Sequence, residues 1–554
     1  MSSARLAAAL RTASSQRAQA PALTFLDHSL AEHTLTYGEL FDLTRQLASR
    51  LRETLPARPR LVVGILSERQ ETQALHYLAA LEANMIPAVL TPPNPKLNRE
   101  YYARTMQALL TPDRFDLLIT DLEPVPSTLP ALWPFDLQWR NDDDIGVERP
   151  ARAPDDTALL QFSSGTTGIK RGVPIREPAV RSQLNCYGRA ISLEADDCIV
   201  SWLPLYHDMG FIACLHLPLW FGAHSVMLEP MDWVRNPAAL LQAISRFRGS
   251  ISWNPNFAFA FMARRIRDRQ MSGVDLSSLR MLINCSEPVT YASQREFHER
   301  FGPYGLPERV FTGCYAMAET TFALTHGLAD TAEAFDYDGP SNVARSSGTM
   351  PFVSVGTPLP SVELKAVNGD GQPCPDGVIG ELWVRSAFTF DGYFNDIEAT
   401  AAAFEDGWFR TGDLGYRRGH RWYVTGRVKD VMIVGGVNVF PQDLETVAGE
   451  VEGVLDGRVA AFAEFDAELQ TERVTILAES SRGGDRDDEI VLDIRQRILA
   501  TFQLANFDVR LVEPGWLVKS TSGKVARAEN RAKWDRQRLA VADWTSRPRP
   551  PGQG

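Results

Sequence analysis

No Cys-x-x-Cys pair occurs in this 554-residue sequence, and no Cys/His grouping has the spacing of a zinc site. The six cysteines, Cys186, Cys198, Cys214, Cys285, Cys314 and Cys374, are scattered along the chain. Free thiols without a disulfide framework suit a reducing compartment, so a cytoplasmic protein is expected. No apolar run approaches the roughly 18 residues of a membrane span. Positive charge is in deficit, with 57 Lys and Arg against 69 Asp and Glu and a formal net charge of −12. General nucleic-acid binders are basic, so that class is disfavoured. There is no internal repeat, which removes solenoids and propellers. The Gly/Ser/Thr-rich stretch at 162–173 is not G-x-x-x-x-G-K-[ST], so it is no Walker loop.

What is present describes a globular protein, with 44% hydrophobic and 23% charged residues. The length implies two or more domains with substantial cores. The N-terminus is rich in Arg, Ser and Ala and lacks acids, a faint transit-peptide signature. An amphipathic first helix before the strand "ALTF" accounts for it better. From there helical and strand patterns alternate: helix "TYGELFDLTRQLASRLRETL", strand "RLVVGILS", helix and strand in "ETQALHYLAALEANMIPAVL", strand "DLLITD". The middle repeats the pattern, from "CIVSWLPL" to "LRMLINCSEP". Strands alternating with helices imply parallel sheets covered by helices. After about residue 350, short strands such as "VELKAV", "GELWVRS" and "RWYVTG" between Gly/Pro/Asp turns suggest a small β-rich subdomain. A compact α/β segment follows from about residue 430, and the Pro/Arg-rich tail reads as disordered.

Four stretches carry chemistry. In "FSSGTTGIKRGV" (162–173), Ser163, Ser164, Gly165, Thr166, Thr167 and Gly168 follow a strand and would expose N–H groups and hydroxyls to phosphate oxygens, with Lys170 and Arg171 adding charge. In "CYAMAETT" (314–321), Glu319 offers a carboxylate suited to Mg²⁺, which takes one or two carboxylates plus phosphate oxygens. Asp413 of "TGD" is expected in a tight Gly-Asp turn that could hold ribose hydroxyls, with Arg427 in reach. Lys524 stands on the Ser/Gly-rich "STSGKVAR" (520–527). Taken singly, each is also an ordinary loop, turn or surface residue.

Together, in this order and spacing, they resemble the adenylate-forming superfamily of acyl-CoA synthetases, peptide-synthetase adenylation domains and luciferases. The resemblance runs from about residue 20 to about residue 540. Within it the chain is most similar to the fatty acyl-AMP ligases, through "SWLPLYHDMGF" (201–211), "NPNFAFAFM" (254–262), "INCSEPV" (283–289) and "VNVFPQDLE" (437–445). Alanine at position 318 and a long stretch between Glu319 and "VGTPLP" (355–360) point the same way.

The resemblance implies a large N-terminal adenylation domain of doubly wound α/β sheets plus the small β-rich subdomain, over 1–428. A small mobile α/β domain would follow over 429–541 and a disordered tail over 542–554. It implies ATP-dependent activation of a carboxylic acid to acyl-AMP, then transfer to the phosphopantetheine thiol of an acyl-carrier protein. ATP and Mg²⁺ are the expected cofactors. By carry-over, Ser163 to Gly168 and Arg171 would hold the β- and γ-phosphates, and Glu319 would bind Mg²⁺. Ser286, Glu287 and Pro288 would line the adenine pocket, with Tyr315 stacking on the base. Asp413 and Arg427 would hold the ribose, and Lys524 would bridge carboxylate and α-phosphate. His207 would border the acyl pocket, and Lys429 occupies the hinge position.

Some positions depart from the family pattern. Lys170-Arg171 replaces the usual Pro-Lys pair, and arginine offers a planar fork where lysine is a point charge. Trp253, Cys285 and Ala316 fill places near the acyl tunnel where relatives tend to have glycine. Such filling either shortens or diverts the tunnel, favouring a short, medium or functionalised acid, or is compensated elsewhere without effect. Arg527, Arg531, Lys533, Arg536 and Arg538 form either a basic face for an acidic carrier protein or a solvated helix face. The competing readings are an acyl- or aryl-CoA ligase and a catalytically silent adenylate-fold binding protein.

Overall fold

The computed structural model describes residues 6–54, 61–93, 99–123, 129, 131–132, 157–162, 171–327, 334–341, 351–434, 437–466, 471–480, 487–502, 504, 507–519 and 525–546. The chain divides into two compact units, and among the described residues the second begins at Gly426.

The first unit is built on a nine-stranded sheet. Its strands are β1 (Pro21–Leu26), β2 (Glu32–Thr36), β3 (Cys198–Ser201), β4 (His224–Leu228), β5 (Ile251–Asn254), β6 (Met281–Asn284), β7 (Phe311–Ala316), β8 (Ala323–His326) and β9 (Thr357–Pro358). They lie in the order β9-β8-β7-β6-β5-β3-β4-β1-β2. The six strands from β7 to β1 pair parallel. Antiparallel strands flank both edges. The parallel strands β3, β4, β5 and β6 are short and almost wholly buried, as expected where helices cover both faces. A second parallel sheet joins Ile86–Val89, Val62–Leu66, Leu117–Thr120 and Ala131–Leu132. The β-rich part is a five-stranded sheet with antiparallel pairing of Val362–Val367, Gly380–Ser386 and Trp408–Arg418.

Glycine allows one close approach that sets the site. A Cβ on Gly313 of β7 would lie 2.4 Å from the Ser354 carbonyl oxygen. A side chain there would push apart two segments that fix β7.

The second unit has its own core, including Leu444, Ile476, Ile494 and Ile498. A three-stranded sheet, Val454–Asp466, Thr471–Ser480 and Phe507–Val512, carries helices Pro441–Gly449, Asp487–Phe502 and Arg527–Ser546. The last helix runs through Ser546, into the span expected as a tail from 542; residues 547–554 lie outside those described.

Two further expectations change. Asp413 is not in a turn: it lies within the long strand Trp408–Arg418, where Gly412 at φ 70° accompanies a register irregularity against Gly380–Ser386. A bulge re-aims a side chain without ending the strand, and Gly-Asp serves either geometry. Of the cations read as a basic or a solvated helix face, Arg527 and Arg538 are paired with acids. Arg527 binds Glu445 at 2.6 Å and Asp430 at 3.0 Å, and Arg538 binds Glu464 at 3.0 Å. Lys533 donates to the Trp516 carbonyl at 2.5 Å and lies over its ring. Burial opposes the charge on Arg527, and the two carboxylates outweigh it.

Candidate functional site

Glu319 follows β7 in a single 3₁₀ turn, Ala318–Thr320. β7 runs through "CYA", so the turn sits at its carboxyl end. In parallel α/β sheets that end is where ligands bind. Thr321 closes the turn at φ 63°, a strained conformation for a β-branched residue, typically costing about 1–3 kcal/mol. The turn is pinned from three sides. Phe390 N–H donates to the Glu319 carbonyl at 2.8 Å. The Thr321 hydroxyl donates to the Phe388 carbonyl at 2.9 Å. Gln161 Nε2 donates to the Thr321 carbonyl at 3.2 Å. Gln161 belongs to the strand Thr157–Phe162, immediately before the Ser/Thr/Gly stretch.

The Glu319 carboxylate accepts from the Tyr393 hydroxyl at 3.0 Å. Arg171 lies over the Tyr393 ring, 5.2 Å from its centroid, and 3.6 Å from Asp396 Oδ2. Burial, and then the Glu319 charge, push the Tyr393 phenol well above its ordinary value, with Arg171 opposing. Tyr393 therefore stays a donor at neutral pH. Of the two described flanks of the Ser/Thr/Gly stretch, Gln161 thus contacts the Glu319 turn and Arg171 contacts Tyr393, which holds the Glu319 carboxylate. Ser163, Ser164, Gly165, Thr166, Thr167, Gly168 and Lys524 lie outside the described residues. Beside Lys524, Lys519 and Val525 form a β-bridge.

A second cluster joins Tyr315 to Asp413. The Tyr315 hydroxyl donates to Asp413 Oδ2 at 2.8 Å, and each residue is only 7% exposed. The two are far apart in sequence, so register on separate sheets brings them together. Nearby in sequence order, Ser286 takes φ 74° after β6, and its hydroxyl points at Met209 Sδ, 3.8 Å away. Glu287 accepts from Phe257 N–H at 3.0 Å, in the first turn of the helix Asn256–Arg265. A carboxylate there matches the helix dipole. Pro288 is half-buried.

His207 precedes an eight-residue π-helix, Met209–His216, which the sequence did not announce. Gly210 permits it, since a Cβ there would lie 2.3 Å from the Pro204 carbonyl oxygen. His207 Nδ1 lies 2.6 Å from Asp208 Oδ1. Trp253 of β5 is fully buried and donates from Nε1 to the Tyr187 hydroxyl at 3.2 Å. Tyr187 comes from the helix Glu177–Ala190. Burial first, then Cys314 and Cys285, push its phenol far up. Cys314 is itself raised by burial and by contact with Cys285, with Asp208 adding to the effect. Trp253, Cys285, Cys314 and Tyr187 therefore form one buried cluster, close enough to Asp208 for its charge to act on Cys314. Ala316 closes β7 above Cys314, half-buried and paired with Ala323.

Arg427 ends the strand Arg421–Arg427, and its carbonyl accepts from Asp430 and Val431. Lys429 sits exposed on the resulting turn. The sequence reading missed Tyr393, Asp396, Gln161 and Tyr187. The turn "DGYFND" (391–396) holds the first two, but only folding sets it against Glu319. Glu319 is a hard oxygen donor, which fits Mg²⁺ shared with phosphate oxygens. Among the described residues no group of three His, Cys, Asp or Glu could hold a metal by itself.

Comparison with known proteins agrees with this architecture. The profile of the AMP-binding enzyme family matches residues 10–394. A long-chain-fatty-acid–AMP ligase, FadD26 of Mycobacterium marinum, is 30% identical, covering 94% of this chain and 95% of the relative. A Caulobacter vibrioides protein, described provisionally as an acyl-CoA synthetase, is 30% identical, covering 89% of each. A solved structure from work on fatty acyl-adenylate ligases of E. coli and L. pneumophila superposes with TM-score 0.83 at 26% identity, covering 97% of this chain and 98% of that one. The chain belongs to the AMP-binding enzymes of the adenylate-forming superfamily and is an AMP-forming acid ligase related to the fatty acyl-AMP ligases.

Proposed function

We propose that the enzyme activates a short, medium or functionalised acyl acid and passes it to the phosphopantetheine thiol of an acyl-carrier protein. In the first step a carboxylate oxygen attacks the α-phosphorus of ATP, and the bond to pyrophosphate breaks. In the second, a thiol sulfur attacks the acyl carbon, AMP leaves, and the thiol proton is lost. Little covalent protein chemistry is needed, so positioning and charge neutralisation carry the rate.

The observation that supports this most is that Gln161 and Tyr393 both contact the Glu319 turn, with Arg171 lying over the Tyr393 ring. The residues on either side of the 163–170 stretch, Gln161 and Arg171, lie beside the turn and the tyrosine that hold a carboxylate suited to Mg²⁺. Glu319 would hold that ion beside the triphosphate, where it neutralises charge. Tyr393 would aim the carboxylate. Arg171 would hold β- and γ-phosphate oxygens with Ser163 to Gly168. Its present partners, the Tyr393 ring and Asp396, are weak enough to exchange for phosphate: half-exposed ion pairs contribute about 0–1 kcal/mol.

Tyr315 would stack on adenine while its hydroxyl fixes Asp413 for the ribose. Ser286, Glu287 and Pro288 would line the base, and Arg427 would hold the ribose with Asp413. Lys524 would meet the carboxylate and α-phosphate, and Lys429 would be the hinge between an adenylation domain (1–428) and a mobile domain (429–541). Trp253 and Cys285 would close the acyl pocket early, beside His207 and below Ala316. A cytoplasmic location fits the free thiols.

The test supplies ATP, Mg²⁺ and an acid panel, first alone, then with CoA, then with a phosphopantetheinylated carrier protein. Acyl-AMP that accumulates with CoA and is consumed by the carrier supports the reading. Rapid acyl-CoA formation would make the enzyme a CoA ligase instead, the assignment attached to the Caulobacter relative.

A further inference from the structure

We propose that the acid this enzyme activates carries a neutral hydrogen-bonding group on its acyl chain, a hydroxyl or a carbonyl, and that His326 binds it. The inference rests on the acyl-site reading above and specifies its substrate class.

His326 ends β8 directly opposite Cys314 of β7. Opposed residues in an antiparallel pair leave the sheet on one face. Trp253, Ile283 and Thr312 are register partners across β5, β6 and β7, and Thr312 lies two residues before Cys314 on that face. Tyr187 descends onto it from the helix Glu177–Ala190, holding the Trp253 indole by its hydroxyl and meeting the His326 ring edge-on at 5.6 Å. Tyr315 alternates to the other face, toward Asp413. The nucleotide residues and the acyl residues thus use opposite faces of β7. Cys314 lies two residues below Ala316, so His326 stands roughly 7 Å down from the rim.

His326 is 6% exposed, and among the described residues neither ring nitrogen has a hydrogen-bond partner. A neutral imidazole has one donor and one acceptor, and burying both unmade is costly. The deficit is local and shared. The Thr312 hydroxyl on the same face, 3% exposed, has no partner among the described residues. Gln183 lies one turn before Tyr187 on the same helix face. It is fully buried, and its amide oxygen and nitrogen both lack partners among the described residues. Buried polar groups are normally paired, so a group of them gathered on one face of β7 and the helix above it points to a bound molecule as the partner.

The charge of that partner follows from the surroundings. Burial lowers the His326 imidazole to about 4, with Arg280 adding to the effect, so it is neutral at physiological pH. Imidazole, amide and hydroxyl all both donate and accept, which matches a hydroxyl or a carbonyl. Arg280, the cation felt at His326, is already paired with Asp197 at 2.7 Å and so is not free for a chain-end carboxylate, and the Asp208 charge that acts on Cys314 disfavours a second anion. A plain alkyl chain would bury these groups without satisfying them. Sites built to hydrogen-bond a substrate reject the analogue lacking the group far more strongly than apolar pockets reject a size change.

The experiment measures pyrophosphate release with ATP and matched acids of equal chain length, each plain, hydroxylated or oxo-substituted at successive positions. Wild type is compared with His326→Leu, His326→Gln and Gln183→Leu. In wild type, at least one hydroxy or oxo acid is expected to exceed its plain counterpart about tenfold or more in kcat/KM. His326→Leu should abolish or reverse that preference, losing more on the substituted acid than on its plain counterpart, and His326→Gln should restore part of it. Should His326→Leu fail to fold, Gln183→Leu is read in the same way. Equal or better use of every plain acid by wild type overturns the proposal, and would mean that trapped water satisfies these groups. So does a His326→Leu variant that loses activity equally on both members of a pair. Absence of pyrophosphate with every acid is a different result: it overturns the ligase reading, and this inference with it.

Discussion

Replacing Trp253 by alanine tests where the acyl chain goes. The indole is fully buried against Tyr187, and removing it destabilises the fold by about 3–5 kcal/mol through lost burial and the cavity left behind. The same cavity should lengthen the acyl pocket. Each methylene moved from water into apolar surroundings is worth about 0.8 kcal/mol, close to a fourfold gain in binding. An acid two carbons longer than the best wild-type substrate should therefore gain on the order of fifteenfold in relative kcat/KM. The assay is pyrophosphate release across a homologous acid series, on enzyme shown by circular dichroism to remain folded. A folded Trp253→Ala variant with an unshifted chain-length profile would refute the placement of the pocket between Tyr187, Trp253 and Cys285. A fall in stability alone would not support it, since any buried tryptophan gives that.

Other expectations follow from single contacts. Tyr315→Phe removes the donor to the buried Asp413 carboxylate, a charged hydrogen bond worth about 1.5–3 kcal/mol. KM for ATP should rise roughly ten- to a hundredfold with a smaller change in kcat; an unchanged KM would separate Asp413 from the nucleotide. Tyr393→Phe releases the Glu319 carboxylate, and the Mg²⁺ concentration for half-maximal activity should rise about tenfold or more. An unaltered Mg²⁺ titration would count against Glu319 as a ligand. Burial raises the Glu229 carboxyl to about 7, despite the Gln70 N–H that it accepts. Native protein then holds a proton that the unfolded chain releases between the ordinary value and 7. Its stabilising contribution is present at low pH and lost as pH rises through 7, by at most about 3 kcal/mol. Glu229→Gln should flatten this, gaining stability over wild type at pH 8 relative to pH 5 in urea melts. An identical pH dependence in both proteins would contradict it.

Strands such as Cys198–Ser201, His224–Leu228 and Met281–Asn284 were legible because a parallel strand buried on both faces reads as a short apolar run between turn residues. The helix Gln70–Glu82 and the strand after it were legible from the change in period. Local patterns failed where tertiary contact decides. Gly412-Asp413 reads as a turn, yet pairing with Gly380–Ser386 makes it a bulge. The cations around Arg527 read as a basic face or a solvated helix face, and neither reading anticipates that Asp430, Glu445 and Glu464 pair Arg527 and Arg538. Each acid lies at least 74 residues from its arginine, so no helix-spacing rule could pair them. Glu319 and Asp413 were legible as carboxylates in a recognisable order. Tyr393, which holds the Glu319 carboxylate, was not, because 74 residues separate them. The π-helix after His207 was hidden for a related reason: Gly210 looks like a helix breaker, while its role is to let the Pro204 carbonyl come close.

The most direct test of the account is acid-dependent exchange of labelled pyrophosphate into ATP by the purified enzyme, run without any thiol acceptor. Acyl-adenylate formation predicts exchange that needs both a carboxylic acid and Mg²⁺ and that Glu319→Gln abolishes. Exchange that is absent with every acid, or that persists undiminished in Glu319→Gln, would contradict it.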